Sequence, residues 1–298
     1  MRGRRGSIFA IISIAAIACG PPPRRAGVGD DDDGSGGNDA NNLNVGDGAN
    51  SNCAQNTEFV YTIDQFTNQL SRFDPQSKTF TDLGQLACNQ MSGATPFSMG
   101  VDRTANAWVL YDSGELFRVE INNALMCTKT TWASPMSLVN FGMGFSTDTP
   151  GGSTDSLFIG GGASQEQSSF SLAKVDTTSM TAMIVGTESI LPEMTGNSNA
   201  ELWGFLPDTS TSQVVQFDKT NGSILTTYNE PTLAGTMTGY AFAHWGGDYW
   251  VFLIRDGEPS TSVYQVNGQT GAITSTTPTT NRTIVGAGVS TCAPVVLQ

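Results

Sequence analysis

The chain has 298 residues, with 27 acidic side chains against 14 basic ones and a formal net charge of −13. Such an acidic surface repels nucleic-acid phosphates and anionic lipid headgroups, which excludes a nucleic-acid partner. The single histidine, His244, and the lack of any Cys-x-x-Cys spacing argue against a His/Cys zinc site. We expect neither a metal nor another cofactor.

The N-terminal residues predict export. Three arginines precede an apolar run over 8–18, which is too short to span a bilayer and has the flanks of a cleavable signal peptide. Ala16 and Ala18 stand at the −3 and −1 positions of a cut before Cys19, as in a lipobox with Ala where Leu is commoner. We therefore expect a signal peptide over 1–18 and acyl chains on Cys19 that anchor the protein in the cell envelope, at the outer membrane.

Residues 19–52 read as the lipidated cysteine followed by a tether. Gly, Pro, Asn and Asp dominate this stretch, which has no aromatic residue and cannot bury enough apolar surface to fold. As a flexible coil it would reach roughly 30 Å. Four aspartates precede Gly34, but two ligand positions of a calcium loop would fall on Gly29 and Ala40. We interpret the run as a solvated acidic linker.

Residues 53–298 predict a single all-β domain built from repeats. Short alternating runs rich in Val, Thr, Tyr, Phe and Trp indicate strands, separated by Gly, Asp, Asn and Ser. Five segments share a strand, then a turn-forming acid or amide, then another strand. The spacings of 46, 56, 42 and 49 residues are typical of a four-stranded propeller blade. The turn residues are Asp74, Glu120, Asp176, Asp218 and Asn267.

The repeats also predict how the ring closes. Four of them carry a strand of small residues suited to the crowded centre of a propeller, at 98–104, 141–147, 193–199 and 239–246. The first repeat lacks it, and the matching piece, 285–291, lies at the other end of the chain. We expect a β-propeller of five blades, with six as the alternative, closed by the C-terminal strand joining the first blade. A sandwich, or two of them, would not explain the recurrence.

Cysteine parity supports this scheme. Once Cys19 is assigned to the lipid, four cysteines remain, an even number suited to disulfides in an oxidising compartment. The closure model brings the chain ends together and predicts the pair Cys53–Cys292. The other two, Cys88–Cys127, then pair by default. The alternative is four free buried thiols.

With its lipobox, Asp/Gly/Asn-rich tether and degenerate repeats, the chain resembles uncharacterised exported bacterial β-propeller lipoproteins. The resemblance covers the mature chain, but its motifs are architectural. It lacks a recurring Trp-Asp dipeptide and a recurring double-glycine pattern of kelch type, and the triple glycine Gly160, Gly161 and Gly162 occurs once. The resemblance implies a fold and a localisation in the cell envelope, and it implies no activity.

Catalytic motifs are scarce. No G-x-S-x-G elbow surrounds a serine, and a Ser-His-Asp triad would need His244. Paired carboxylates on inner strands could hydrolyse glycans if one were protonated and the other ionised. The candidates for that chemistry are Asp102, Asp148, Glu193 and Asp248.

Aromatic residues favour binding over catalysis. Trp245, His244 and Tyr240 lie on one predicted inner strand, where a ring exposed at the rim could stack on a sugar or a peptide side chain. Adjacent strand residues point to opposite faces, so at most one of Trp245 and His244 lines the channel. We expect a non-catalytic binding or interaction module with an unidentified protein or glycan partner. The alternatives are a glycan-active hydrolase and a purely structural surface protein.

Overall fold

The computed structural model describes residues 52–297, and over this range the chain is all-β. Twenty strands form five four-stranded antiparallel sheets, the blades of a five-bladed β-propeller. The predicted signal peptide, Cys19 and all but the last residue of the tether lie outside the described residues. Within 52–297, none of the helices is long and apolar enough to cross a membrane.

The strands follow one another in chain order. Blade 1 holds β1 (Val60–Asp64), β2 (Gln69–Asp74) and β3 (Thr79–Gln85), and blade 2 holds β4 (Pro96–Val101), β5 (Asn106–Tyr111), β6 (Leu116–Glu120) and β7 (Met126–Lys129). Blade 3 holds β8 (Asn140–Thr147), β9 (Asp155–Gly162), β10 (Phe170–Asp176) and β11 (Thr181–Glu188). Blade 4 holds β12 (Glu193–Gly196), β13 (Leu202–Leu206), β14 (Ser212–Phe217) and β15 (Ile224–Glu230). Blade 5 holds β16 (Met237–Trp245), β17 (Asp248–Arg255), β18 (Ser262–Asn267) and β19 (Ile273–Pro278), and β20 (Ile284–Val289) returns to blade 1. Two 3₁₀ helices, Pro135–Ser137 and Pro231–Leu233, lie between blades.

The recurring acid or amide makes the same turn in four blades. Asp74, Asp176, Asp218 and Asn267 each accept a hydrogen bond on Oδ1 from the backbone N–H two residues ahead, at 2.8–3.1 Å. This is the Asx turn, in which a short side chain replaces a backbone acceptor. In blade 2 the longer Glu120 instead accepts a bond from the Asn123 side chain at 2.9 Å. The repeat seen in the sequence is therefore the turn between the third and fourth strands of each blade.

Ring closure follows the prediction. The strand β20 pairs antiparallel with β1, with Val289 opposite Val60, and completes blade 1 from the inside. Cys53 is bonded to Cys292 just beyond this pairing, with 6.0 Å between their Cα atoms. Cys88, in the connection from β3 to β4, is bonded to Cys127 on β7. The four cysteines of the propeller are therefore two disulfides.

The hydrophobic core lies between neighbouring blades. In one cluster Phe73 of blade 1 contacts Trp250 and Phe252 of blade 5, with ring centroids 5.4 and 5.3 Å apart. All five tryptophans are buried in such clusters or at their edges. Aromatic side chains bury large areas and favour edge-to-face contacts, so they stabilise the ring. The tryptophan side chains therefore pack inside the core and are not exposed at a rim of the propeller.

Small residues let the innermost strands approach each other around the axis. A Cβ atom on Gly144 of β8 would lie 2.7 Å from the Cα atom of Thr195 on β12. One on Gly286 of β20 would lie 2.8 Å from the backbone nitrogen of Met99 on β4. Real Cβ atoms do not come this close to backbone, so only glycine fits there. The centre of the ring is backbone packed against backbone.

Candidate functional site

The five innermost strands begin at one end of the axis, which we call the upper end, and finish at the lower end. At the upper end their first residues surround a cavity of about 120 Å³, the axial cavity. Strands and connections from all five blades contribute to it. Its lining consists of Gln65, Pro96, Phe97, Gly142, Gln165, Leu191, Pro192, Glu193, Met237, Thr238, Gly239, Tyr240 and Val285.

Glu193, the first residue of β12, is the one carboxyl group in this lining and is only 3% exposed. Its Oε2 atom accepts a hydrogen bond from the Ser98 hydroxyl of β4 at 3.0 Å. Burial raises the pKa of Glu193 well above its usual range, while hydrogen bonds from Ser98 and from the backbone at Met194 and Met143 oppose that rise. The group is therefore a protonated carboxylic acid over a pH range in which an exposed glutamate is ionised.

Tyr240 lies on the same cavity from β16. Its hydroxyl donates to the Leu191 carbonyl at 3.3 Å, and its ring contacts Phe205 with centroids 6.0 Å apart. Burial, with a smaller contribution from Glu193, raises the pKa of Tyr240, so the phenol stays neutral. The tyrosine is a positioned wall of the cavity.

The remaining walls are apolar or uncharged. Phe97, Leu191 and Val285 supply hydrophobic surface, and Gln65 and Gln165 supply amides. An engineered protein cavity of about 150 Å³ holds one benzene molecule. The axial cavity therefore accommodates a group about the size of an amino-acid side chain.

A β-bulge shapes the mouth of the cavity. The pairing of β16 with β17 skips one residue between Met237 and Gly239, which leaves Thr238 out of register and exposed. A bulge bends its strand and re-aims the extra side chain. Thr238 thus marks the point where the cavity opens to solvent.

The lower end of the axis differs in chemistry. Arg103, just after β4, and Asp155, the first residue of β9, form an ion pair at 3.1 Å with 9% and 5% of their side chains exposed. Thr291, beyond β20, donates to Asp155 at 2.7 Å and accepts from Arg103 at 3.0 Å. Burial raises the pKa of Asp155, against the opposing effects of Thr291 and Arg103. This cluster links blades 1, 2 and 3 beside the closing disulfide.

The three aspartates proposed from the sequence for hydrolysis all lie towards the lower end and are engaged in local structure. Asp102 accepts bonds from Thr104 and from the Trp108 indole. Asp148 contacts Ser156 and Lys174, and Asp248 accepts from Gln265. Each is held by its own turn or by a neighbouring strand.

Glu193 lies far from these aspartates along the axis. Its carboxyl accepts a hydrogen bond from Ser98 of β4, and Asp102 comes four residues after Ser98 along the chain, towards the lower end. Asp148 follows Thr147, whose N–H donates to the carbonyl of Asn197, four residues beyond Glu193. Four residues of extended strand measure about 13 Å. Glycosidase carboxylates stand about 5–10 Å apart, so the structure does not pair Glu193 with Asp102 or Asp148 at that separation.

His244 and Trp245 occupy the lower part of β16. The Trp245 indole donates to the Glu58 carbonyl at 2.8 Å, and the His244 N–H donates to Thr195 Oγ1 at 3.1 Å. Burial lowers the pKa of His244 to about 4, so its imidazole is neutral. Neither side chain lines the axial cavity, whereas Tyr240 does.

Several lining residues were not predicted from the sequence. Gln65, Phe97 and Gln165 belong to no recognisable motif, and their position in a loop or near the start of a strand was the only indication of their place in the cavity. Within the described part of the chain, no group of three His, Cys, Asp or Glu side chains is arranged to hold a metal. The site is a neutral, partly open cavity.

No family model and no curated protein matches the chain. Solved structures with a similar fold include a protein of unknown function from Bacteroides caccae, at 13% identity over 73% of this chain and 72% of that one, with a TM-score of 0.39. A luciferin-regenerating enzyme matches at 10% identity over 78% and 76%, with a TM-score of 0.47. A protein from Lactobacillus plantarum matches at 11% over 79% and 72%, with a TM-score of 0.42. At this distance the likeness carries no statement about activity.

Proposed function

We propose that the protein is an exported, lipid-anchored cell-envelope protein whose propeller is a non-catalytic binding module. The bound group inserts into the axial cavity. The observation that carries this proposal is the cavity itself, a side-chain-sized space at the centre of the ring with apolar walls and a few hydrogen-bonding groups. That composition is typical of a ligand pocket.

Binding is favoured over hydrolysis by the distribution of carboxyl groups. The axial cavity contains one carboxyl, which is buried and protonated, and the candidate partners lie at the lower end. Retaining or inverting hydrolysis of a glycosidic bond requires a second carboxylate within about 5–10 Å. A lone acid can hold a ligand but cannot complete that mechanism.

The proposed localisation rests on the sequence and on the disulfides. Residues 1–18 have the composition of a signal peptide, and Cys19 stands where a lipobox cysteine would. The other four cysteines form two disulfides, which persist in oxidising compartments outside the cytosol. Acyl chains suit an anchor here because the acidic chain would be repelled by anionic headgroups.

A ligand screen tests the binding role. The protein, purified from the envelope in mild detergent, is screened by thermal unfolding against glycans, peptides and envelope metabolites. A ligand at 100 times its Kd adds about 2.7 kcal/mol to stability, which raises Tm by about 5–10 °C for a domain of this size.

Two matched variants locate the bound ligand. Thr238→Phe fills the mouth of the cavity and should abolish the shift, whereas Thr276→Phe makes the same change at an exposed position on β19 and should keep it. A ligand that still stabilises Thr238→Phe binds elsewhere. Failure of every compound class to shift Tm would leave the structural role as the better explanation.

The anchor is tested separately. Cys19→Ala removes the sulfur that would carry the lipid, and we expect the protein to move from the membrane fraction to the soluble envelope fraction on immunoblots. A conservative change in the tether, Asn41→Ala, should leave it in the membrane fraction. Unchanged membrane retention of Cys19→Ala would refute lipid anchoring.

A further inference from the structure

We propose that the axial cavity selects an uncharged group that accepts a hydrogen bond, such as an amide carbonyl or a hydroxyl, and that the carboxylic acid of Glu193 donates to it. This inference rests on the proposed function, because it names the ligand chemistry of the same cavity. It would make binding sensitive to pH at a single residue.

The geometry places Glu193 where a donor is needed. Its carboxyl lies in the lining at the start of β12, and Gly142 of β8 leaves it room, since a Cβ atom there would lie 2.9 Å from Oε2. Ser98 and backbone groups already donate to the carboxyl oxygens. The protonated acid therefore has one donor to offer, and Glu193 forms part of the wall of the cavity.

The surroundings of Glu193 are uncharged on every packed element. Ser98 approaches from β4, Gly142 and Met143 from β8, Phe205 lies opposite on β13, and Tyr240 lies on β16. Tyr240 is the titratable group among them, and it too is neutral. An anion inserted here would find no counterion among the described lining residues, and a cation could pair only with Glu193, which would first have to lose its proton. Burial of an unpaired charge is costly, so the cavity discriminates against ions of both signs while Glu193 is protonated.

The direction of the pH dependence follows from the proton on Glu193. Because burial raises the pKa of this group, the donor is present at mildly acid pH and is lost as pH rises through that value. Ionised Glu193 can no longer donate to a carbonyl oxygen and would repel it. Affinity for a neutral acceptor should therefore fall as pH rises, the opposite of what an ordinary carboxylate–cation site would show.

Three probes of equal shape test the selectivity. Isobutyramide is neutral, isobutyrate is its anionic analogue, and isobutyramidinium is its cationic analogue. Binding to the detergent-purified full chain is followed through the ¹³C methyl resonance of Met237, assigned with Met237→Leu. At about pH 6.5, where a free carboxylic acid is ionised, we expect the amide to bind at least about tenfold more tightly than either ion.

Variants of Glu193 test the donor. Glu193→Gln keeps a neutral donor of the same shape, so amide binding should persist and lose its decline with rising pH. Glu193→Leu removes the donor and should weaken the amide by about tenfold. Glu230→Gln is the matched control, since burial also raises the pKa of Glu230 but it lies outside the cavity lining. This control should bind with the pH profile of the wild type.

The outcomes separate this inference from the proposed function. Equal binding of an ion and the amide, or a flat pH profile in the wild type, overturns the inference and leaves a binding cavity. The same holds if no probe binds while the screen finds a ligand blocked by Thr238→Phe. If no probe binds and no such ligand is found, the proposed function fails as well.

Discussion

The two ends of the propeller axis are built from the same five innermost strands, yet they differ in almost every physical property. The upper end is a cavity with neutral walls and one protonated acid. The lower end contains a buried ion pair and lies beside the disulfide that closes the ring. Under the proposed function, the fold separates binding from stability by placing them at opposite ends of its strands.

The difference arises in the segments that join the strands. At the lower end the turn from β16 to β17 is only two residues, Gly246 and Gly247, and the Gly246 N–H donates to the Pro294 carbonyl of the C-terminal segment at 2.8 Å. That segment covers the turn. At the upper end, the connection 163–169 instead brings the polar side chain of Gln165 to the cavity lining.

The largest effect should come from the closing disulfide. Cys53→Ser with Cys292→Ser releases a cross-link of sequence separation 239, worth about 5 kcal/mol in the chain-entropy model. Cys88→Ser with Cys127→Ser releases one of separation 39, worth about 4 kcal/mol in the same model. Urea unfolding of both double variants should rank them in that order. The reverse ranking would contradict the larger contribution to stability that we expect from the disulfide that closes the ring.

Asp155→Ala should be the next most damaging change. It leaves Arg103 buried without its carboxylate, which typically costs about 3–5 kcal/mol. Lys174→Met, which breaks the exposed pair with Asp148, is the matched control and should cost less than about 1 kcal/mol. Equal losses of unfolding free energy in the two variants would contradict a stabilising role for the buried Arg103–Asp155 pair.

His244, in the lower part of β16, and Glu193, at the upper end, should respond oppositely to pH. The pKa of His244 falls to about 4 on folding from an ordinary value near 6.5, so its stability contribution is complete above pH 6.5 and is lost as pH falls towards 4. That shift corresponds to about 3 kcal/mol. In urea titrations at several pH values, His244→Gln should lose less stability on acidification than the wild type. A parallel loss in both proteins would contradict a buried neutral imidazole.

The stability contribution of Glu193 depends on pH in the opposite direction to that of His244. Its pKa is raised on folding, so its stability contribution is complete below the unfolded value near 4.5 and is lost as pH rises through the folded value. Glu193→Gln should therefore unfold at higher urea concentration than the wild type at alkaline pH, and the gap should close on acidification. The slope of the difference cannot exceed about 1.4 kcal/mol per pH unit for one proton.

The smallest effect concerns an indole hydrogen bond in a turn. Trp108→Phe keeps the ring in the core but removes the Nε1 donor to Asp102, a bond of 2.9 Å at the end of β4. Loss of one such bond costs about 1 kcal/mol. Ligand binding at the upper end should not change in the same protein. A change in ligand affinity would mean that the two ends are coupled through β4 or β5.

Much of the fold could be predicted from local chemistry. Asp74, Asp176 and Asp218 marked the repeat because an Asx turn needs only its own few residues. The small residues at 285–291 predicted β20 because glycines such as Gly286 and Gly288 allow the close backbone approach at the crowded centre, and Cys292 followed from the same closure. Each of these features is readable along the chain.

The site was predicted only in part. Glu193 and Tyr240 were singled out by type and strand, but Asp102, Asp148 and Asp248 looked equivalent to Glu193 in sequence. The structure separates them because Glu193 begins its strand whereas Asp102 and Asp148 follow the ends of theirs. Which end of a strand faces a cavity depends on how the blades are arranged around the axis.

The sequence by itself predicted the all-β repeat, the closing strand and the disulfide pairs, because turns, strand periodicity and close-packed glycines are set by neighbouring residues, whereas the structure settled five blades over six. The tertiary structure alone decided where the axial cavity lies. The axial cavity draws its walls from residues as far apart as Gln65 and Val285, and the proton on Glu193 depends on burial by four other strands. Both are consequences of closing the ring, which no single stretch of sequence encodes.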